Sequence, residues 1–198
     1  MSSSISKSAF FVRNEAVTLI QGGNSLDVLD RIVSTKILDM PDLSRRNVLF
    51  CDSNGRIYDM GSIYTIAGSI ILSSSSTEKE TTRRKLVNGT SWDEECEVMI
   101  ADNAIFRISI FPSDYSIIVE LFGVDLEEIG TDLLIEKDDH LFVKTNVSNG
   151  TLIDMLVKYE NLEKIVSLLS DSEFTEMDSD RLDNVRIKLG IREMCDVQ

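Results

Sequence analysis

The chain is poor in the residues from which most catalytic and metal sites are built. Its 198 residues include one histidine, three cysteines and one tryptophan. Any Ser-His-Asp or Cys-His arrangement must therefore use His140, and no Gly-x-Ser-x-Gly turn accompanies it. Cys51, Cys96 and Cys195 are odd in number and widely spaced, which is neither a disulfide framework nor a metal spacing and fits a reducing compartment. No apolar run approaches the ~20 residues that a membrane helix needs. The N-terminal MSSSISKSAFFVRNEAV lacks a long apolar core and a small-residue cleavage site, so no signal peptide is expected. Basic residues are also scarce, 20 Lys and Arg against 34 Asp and Glu, for a formal charge of −14. Such a surface repels phosphate backbones and anionic headgroups; neither nucleic-acid binding nor direct membrane insertion is expected. The expected location is the cytoplasm.

Cofactor signatures are missing as well. Gly22-Gly23 leads to Asn-Ser without the Lys-Ser/Thr that finishes a phosphate loop. Asp52, Asn54 and Asp59 resemble a calcium loop only in part, because Gly55 stands fourth and Ile63 occupies the twelfth place, where an acid belongs. Asp138-Asp139-His140 before an apolar run reads as a turn. The pairs Glu94-Glu95, Glu127-Glu128 and Asp138-Asp139 fall in polar segments. Triplets of glycosylation type begin at Asn88, Asn146 and Asn149 and read as turn sequences. No cofactor, metal or catalytic residue is expected.

What is present is a globular pattern, 42% apolar. The most legible stretch is RNVLFCDSNGRIYDMG, Arg46 to Gly61. Val48, Phe50 and Ile57 alternate across Asp52-Ser53-Asn54-Gly55, which predicts two strands and a tight turn. Before it, Ala9 to Ile20 is apolar without a decisive period and is broken at Gln21-Gly22-Gly23-Asn24. Ser25 then starts a predicted amphipathic helix through Leu26, Leu29, Val33 and Ile37, closed at Met40-Pro41. After the hairpin, Ser62 caps a predicted helix lined by Ile63, Ile66, Ala67, Ile70 and Ile71. Residues 73–95 are polar and expected to be largely mobile; Arg83-Arg84-Lys85 reads as solvated charge and Trp92 as an anchor pinning the loop to the core.

Alternation then predicts a three-strand meander over ECEVMIAD, AIFRISIF and YSIIVELFG, with a fourth strand from His140 to Val147. Leu152, Met155, Leu156, Tyr159, Leu162, Val166 and Leu169 predict one long helix. An acidic linker follows, and Leu182, Val185 and Leu189 predict a short helix ended by Gly190.

The expected fold class is α+β: a central antiparallel sheet of about five strands flanked by helices, with an extra C-terminal helical segment. The expected division is a flexible or partly ordered segment over 1–24, an α+β domain over 25–170, and an acidic linker with a short helix over 171–198. The order of elements over residues 25–123, with NVLFCDSNGRIYDMGS before an apolar helix, resembles the roadblock/longin-type regulatory domains. That resemblance implies pairing through the middle helix, mapped here to Ile63, Ile66, Ala67 and Ile70, and service as a scaffold for small GTPases or for motor and trafficking assemblies. The expected function is thus a non-enzymatic intracellular adaptor, homo- or hetero-oligomeric. A PAS-like ligand-sensing domain and a viral or phage structural or accessory protein stand as alternatives.

Overall fold

The computed structural model describes residues 7–75, 79–126, 130–147 and 150–191. Glu127-Glu128, Asn149 and Cys195 lie outside the described residues. In chain order the elements are β1 (Ala9–Val12), β2 (Ala16–Gln21), α1 (Ser25–Asp30), β3 (Ser44–Cys51), β4 (Ile57–Ile66) and β5 (Ser69–Ser74). Next come α2 (Lys79–Gly89), β6 (Glu97–Ile100), β7 (Ile105–Phe111) and α3 (Ser116–Phe122). The chain continues with β8 (Leu134–Lys137), β9 (His140–Val147), β10 (Gly150–Lys158), α4 (Tyr159–Asp171), β11 (Thr175–Glu176) and α5 (Ser179–Leu189).

The fold is α+β, and it has two compact units rather than one. The first takes residues 7–13 and 103–191, the second residues 14–102. The division thus falls at 13/14 and 102/103, and the stretch 1–24 gives β1 to one unit and β2 to the other.

The second unit holds a five-stranded antiparallel sheet in the order β3-β4-β5-β2-β6. Its β3–β4 hairpin matches the sequence reading. Asp52 closes the turn by accepting from the amides of Asn54 (2.8 Å) and Arg56 (2.9 Å), and Gly55 takes a φ of 75°. The core gathers Ile20, Leu29, Ile37, Val48, Phe50, Ile63, Leu72 and Leu86. At roughly 25 cal/mol per Å² of apolar area removed from water, burial of this kind is the main term holding the unit together.

Three expectations in this unit are corrected. Residues 62–71 are not a helix; they are the end of β4, a turn and the start of β5. Ser62, Ile63, Tyr64 and Thr65 are all buried, so the strand is covered on both faces and its apolar residues lose the alternation that marks a half-exposed strand. Ala67 and Gly68 form the turn with φ values of 45° and 81°, a geometry that alanine does not advertise. Helix α1 stops at Asp30, whose carboxylate accepts from the amide of Ile37 at 2.7 Å and folds the chain back. The polar stretch expected to be mobile contains α2, with Thr82, Arg83 and Leu86 buried.

The first unit holds a six-stranded sheet, β11-β1-β7-β10-β9-β8, antiparallel except between β1 and β11. One face packs Phe10, Ile108, Ile110, Ile153, Met155, Ile165 and Leu169, and the other packs Ala9, Phe111, Leu152, Met177, Leu182 and Leu189. Two-sided burial explains a second correction. The run from Leu152 to Leu169 is strand β10 followed by helix α4, because a strand buried on both faces is as continuously apolar as a buried helix. YSIIVELFG is helix α3, not a strand: the Asp114 carboxylate accepts from the Ser116 amide (3.0 Å) and Gly123 ends the helix with a φ of 63°. The three-strand meander therefore does not exist, and β6 and β7 belong to different sheets. The linker before the last helix carries β11, flanked by buried Phe174 and Met177. Strand β9 and helix α5 with its Gly190 cap stand as expected.

Candidate functional site

The loop between α2 and β6 presents the only tryptophan of the chain. Six hydrogen bonds tie this loop down. Arg31 donates from one guanidinium nitrogen to Glu94 Oε1 at 2.9 Å and from the other to Glu94 Oε2 at 2.8 Å and to the Gly89 carbonyl at 2.9 Å. The Ser91 amide donates to Glu94 Oε2 at 2.7 Å, and the Glu95 amide to Asn24 Oδ1 at 2.9 Å. In return the Asn24 amide donates to the Glu95 carbonyl at 3.0 Å. Gly22, at a φ of 123°, makes the approach possible, since a Cβ there would collide with the Glu95 carbonyl. The hydrogen bond from Arg31, then that from the Ser91 amide, hold the Glu94 carboxyl below its usual range.

The loop is fixed, yet its tryptophan points into solvent. Trp92 is 98% exposed, with Ile100 at 70% and Val87 at 57% in the same stretch of chain. Trp92 is therefore not the pin that the sequence suggested; the Arg31–Glu94 pair does that work. The Ser91-x-x-Glu94 spacing of a capping box announces the turn, in which the Ser91 amide donates to Glu94 Oε2, but no local pattern announces the exposure of Trp92. An indole exposed on a loop whose backbone is hydrogen-bonded in place leaves a large apolar surface in water.

Beneath α2 lie two carboxylates, Asp102, which is half-buried, and Asp59, which is buried. Arg83 is buried and donates to Thr18 Oγ1 at 3.0 Å, to the Val17 carbonyl at 3.0 Å and to Asp102 Oδ2 at 3.1 Å, with a second contact to Asp102 Oδ1. Lys79 adds a 3.3 Å ion pair to the same carboxylate. Arg83 was expected as solvated charge; instead it joins α2 to the sheet. Partial burial pushes the Asp102 carboxyl upward, but the Arg83 hydrogen bond and the Val17 amide outweigh it and hold the group below its ordinary value.

Asp59, on β4, is fully buried. It accepts from the Met60 amide at 2.8 Å, from the Ser75 amide at 3.2 Å and from the Thr82 hydroxyl. Burial is the largest influence on it and raises its pKa above the ordinary carboxylate value despite these donors. A carboxyl poised in this way is a candidate proton carrier. Next to it in sequence, Tyr58 meets the Phe50 ring in tilted geometry, with centroids 6.1 Å apart, and lies under the Lys85 ammonium, 3.5 Å from its ring centroid. Burial, then the Asp59 charge, pushes the Tyr58 hydroxyl up to about 12.

The four residues mapped to a pairing helix do not share a helix face. Ile63 and Ile70 are buried in the core of the five-stranded sheet, Ile66 is half-buried, and Ala67 is exposed at the β4–β5 turn. His140 opens β9 after a two-residue turn in which Asp138 and Asp139 take φ values of 50° and 64°; the turn is as the sequence predicted, and the structure shows that it closes a hairpin with β8. It is buried, and that burial lowers its pKa against the pull of Asp139 and Asp138.

No family model matches this sequence, and no curated protein sequence matches it. Solved structures do resemble it in fold. One is the glycine cleavage system aminomethyltransferase T from Bartonella henselae: TM-score 0.74, 11% identity, with 88% of this chain covered and 48% of that chain. This chain thus spans about half the length of that enzyme. Another is a chain of the heterotetrameric sarcosine oxidase from Corynebacterium sp. U-96, solved in complex with pyrrole 2-carboxylate: TM-score 0.60, 10% identity, 83% of this chain and 82% of that chain. At these identities the likeness is one of fold.

Proposed function

We propose that this chain is a contact-making subunit, an adaptor or scaffold in a cytoplasmic protein assembly, and that the Trp92 loop is its docking element. The observation that carries the reading is Trp92 itself, 98% exposed on a loop that hydrogen bonds hold still. Rigid aromatic side chains give large contact area at little entropic cost, and tryptophan is enriched among the residues that dominate binding energy. The sarcosine oxidase neighbour is consistent with this, since there a chain of nearly equal length belongs to a heterotetramer. The pairing surface inferred from the roadblock/longin resemblance is moved accordingly, from Ile63, Ile66, Ala67 and Ile70 to the α2–β6 loop.

The test replaces Trp92 with a photo-crosslinking aromatic amino acid in the native host. Irradiation is expected to trap a species heavier than the 22.2 kDa chain, while the same probe at exposed Arg84 traps none. Equal trapping from both positions, or none from Trp92, contradicts the proposal.

Asp59 favours a second reading, an enzyme acting on a small amino compound. The neighbours are named for aminomethyl transfer and for sarcosine, and a carboxyl whose pKa burial raises holds its proton more readily than an ordinary carboxyl and so suits proton exchange with an amine. Turnover of glycine- or sarcosine-type substrates that Asp59→Asn abolishes without lowering the melting temperature supports this reading; turnover indifferent to the substitution removes Asp59 from it.

A further inference from the structure

Strand β6 is the last strand of the five-stranded sheet and pairs only with β2 among the described residues. The register sets Thr18 opposite Ile100 and Ile20 opposite Val98, and the Ala101 amide donates to the Val17 carbonyl at 2.9 Å. Antiparallel pairs alternate between bonded and non-bonded. Val17–Ala101 is bonded, so Val98 and Ile100 sit in non-bonded pairs and direct their amides and carbonyls away from β2. No described residue bonds those outward groups. Exposed edges with apolar side chains are templates for a further strand.

Two observations decide what strand would fit. Ile100 is 70% exposed and offers an apolar contact. Asp93, Glu95 and Glu97 along the same segment are exposed and acidic, in a chain of net charge −14. A second copy is disfavoured, because each copy carries a formal charge of −14 and two such surfaces repel one another. We infer that the β6 edge accepts an extended segment of a partner protein in which apolar and basic residues alternate, added as a sixth strand. The inference rests on the contact-subunit reading and names the chemistry of the partner. Trp92, in the loop that leads into β6, would be covered by the same partner.

The experiment titrates the full chain with three synthetic octapeptides: one alternating lysine with valine and isoleucine, one of the same composition with two central prolines, and one with glutamate in place of lysine. Trp92 emission reports binding, since the chain has no other tryptophan, and amide exchange at Val98 and Ile100 reports strand addition. The expected result is saturable binding of the basic peptide alone, a blue shift of Trp92, and at least about tenfold slower exchange of those two amides. Ile100→Pro removes an outward amide without touching the β2 ladder and is expected to abolish the protection. Glu97→Lys keeps the backbone and is expected to weaken binding about tenfold at low salt. Equal binding of the proline peptide, unprotected Val98 and Ile100 amides, or equal binding of the acidic peptide overturns the inference. Concentration-dependent protection without peptide also overturns it, in favour of a second copy. None of these failures touches the crosslinking from Trp92, which tests the contact reading separately.

Discussion

Arg31 grips Glu94 with two parallel hydrogen bonds, 2.9 and 2.8 Å, and thereby fixes a loop whose tryptophan faces water. Planar bidentate geometry gives the pair directional strength that a lysine could not supply. The pair is solvent-accessible, so its expected effect is local rather than global. Arg31→Ala should leave the melting temperature nearly unchanged and accelerate amide exchange at Ser91 and Glu95, whose bonds depend on the same loop geometry. Hydrogen-exchange mass spectrometry checks this; unchanged exchange in the 90–96 segment would mean that the loop holds without the pair.

Arg83 makes the opposite prediction. It is buried and joins α2 to Thr18, Val17 and Asp102, so Arg83→Met leaves the Asp102 carboxylate short of its partner. The expected loss is about 3 kcal/mol, measured by denaturant unfolding. Because the Asp102 carboxyl is held low in the folded state, its contribution is present above the unfolded carboxylate value of about 3.9 and is lost as pH falls through its folded value. The gap between wild type and Arg83→Met should therefore narrow in acid. A gap that is constant with pH would mean that the ion pair is not its source.

Asp59 shifts the other way, and so does its pH effect. A carboxyl with a raised folded pKa binds its proton more tightly in the folded state. Its penalty is present at neutral pH and is relieved as pH falls through the folded value toward about 3.9. Asp59→Asn should raise stability at pH 7, remain folded, and flatten this part of the pH profile. Destabilisation at every pH would show that the amide cannot replace the oxygen that accepts from the Met60 and Ser75 amides.

Ile63 and Ile70 separate the present picture from a helix-pairing one. Both are buried among the core residues of the five-stranded sheet. Ile63→Asp or Ile70→Asp should unfold the unit, with a loss of at least about 4 kcal/mol from lost packing and a buried charge. Ala67→Asp, at an exposed turn, should remain folded. A folded, monomeric Ile70→Asp variant would contradict the strand assignment.

These residues also show what the sequence could and could not reveal. Asp52-Ser53-Asn54-Gly55 and Asp138-Asp139 were legible because their turn chemistry is local: asparagine, aspartate and glycine tolerate positive φ. The α5 cap at Gly190 was legible for the same reason. Ser62 to Ile71 and Leu152 to Val157 were not, because strands buried on both faces lose their period of two, and only the neighbouring strands reveal them. The separation of β6 from β7 into different sheets is a long-range fact that no local pattern carries. At the candidate site, the exposure of Trp92 depends on Arg31 reaching across 63 positions of sequence to Glu94, a pairing invisible until the chain is folded.

The most direct test of the contact reading is sedimentation of the wild type and of Trp92→Ala in extract of the native host, with melting of each purified protein as the control. Wild type should travel in an assembly heavier than the 22.2 kDa chain, and Trp92→Ala should travel as the chain alone while melting at the same temperature. Identical sedimentation of the two proteins, whether as assembly or as single chain, would contradict the account.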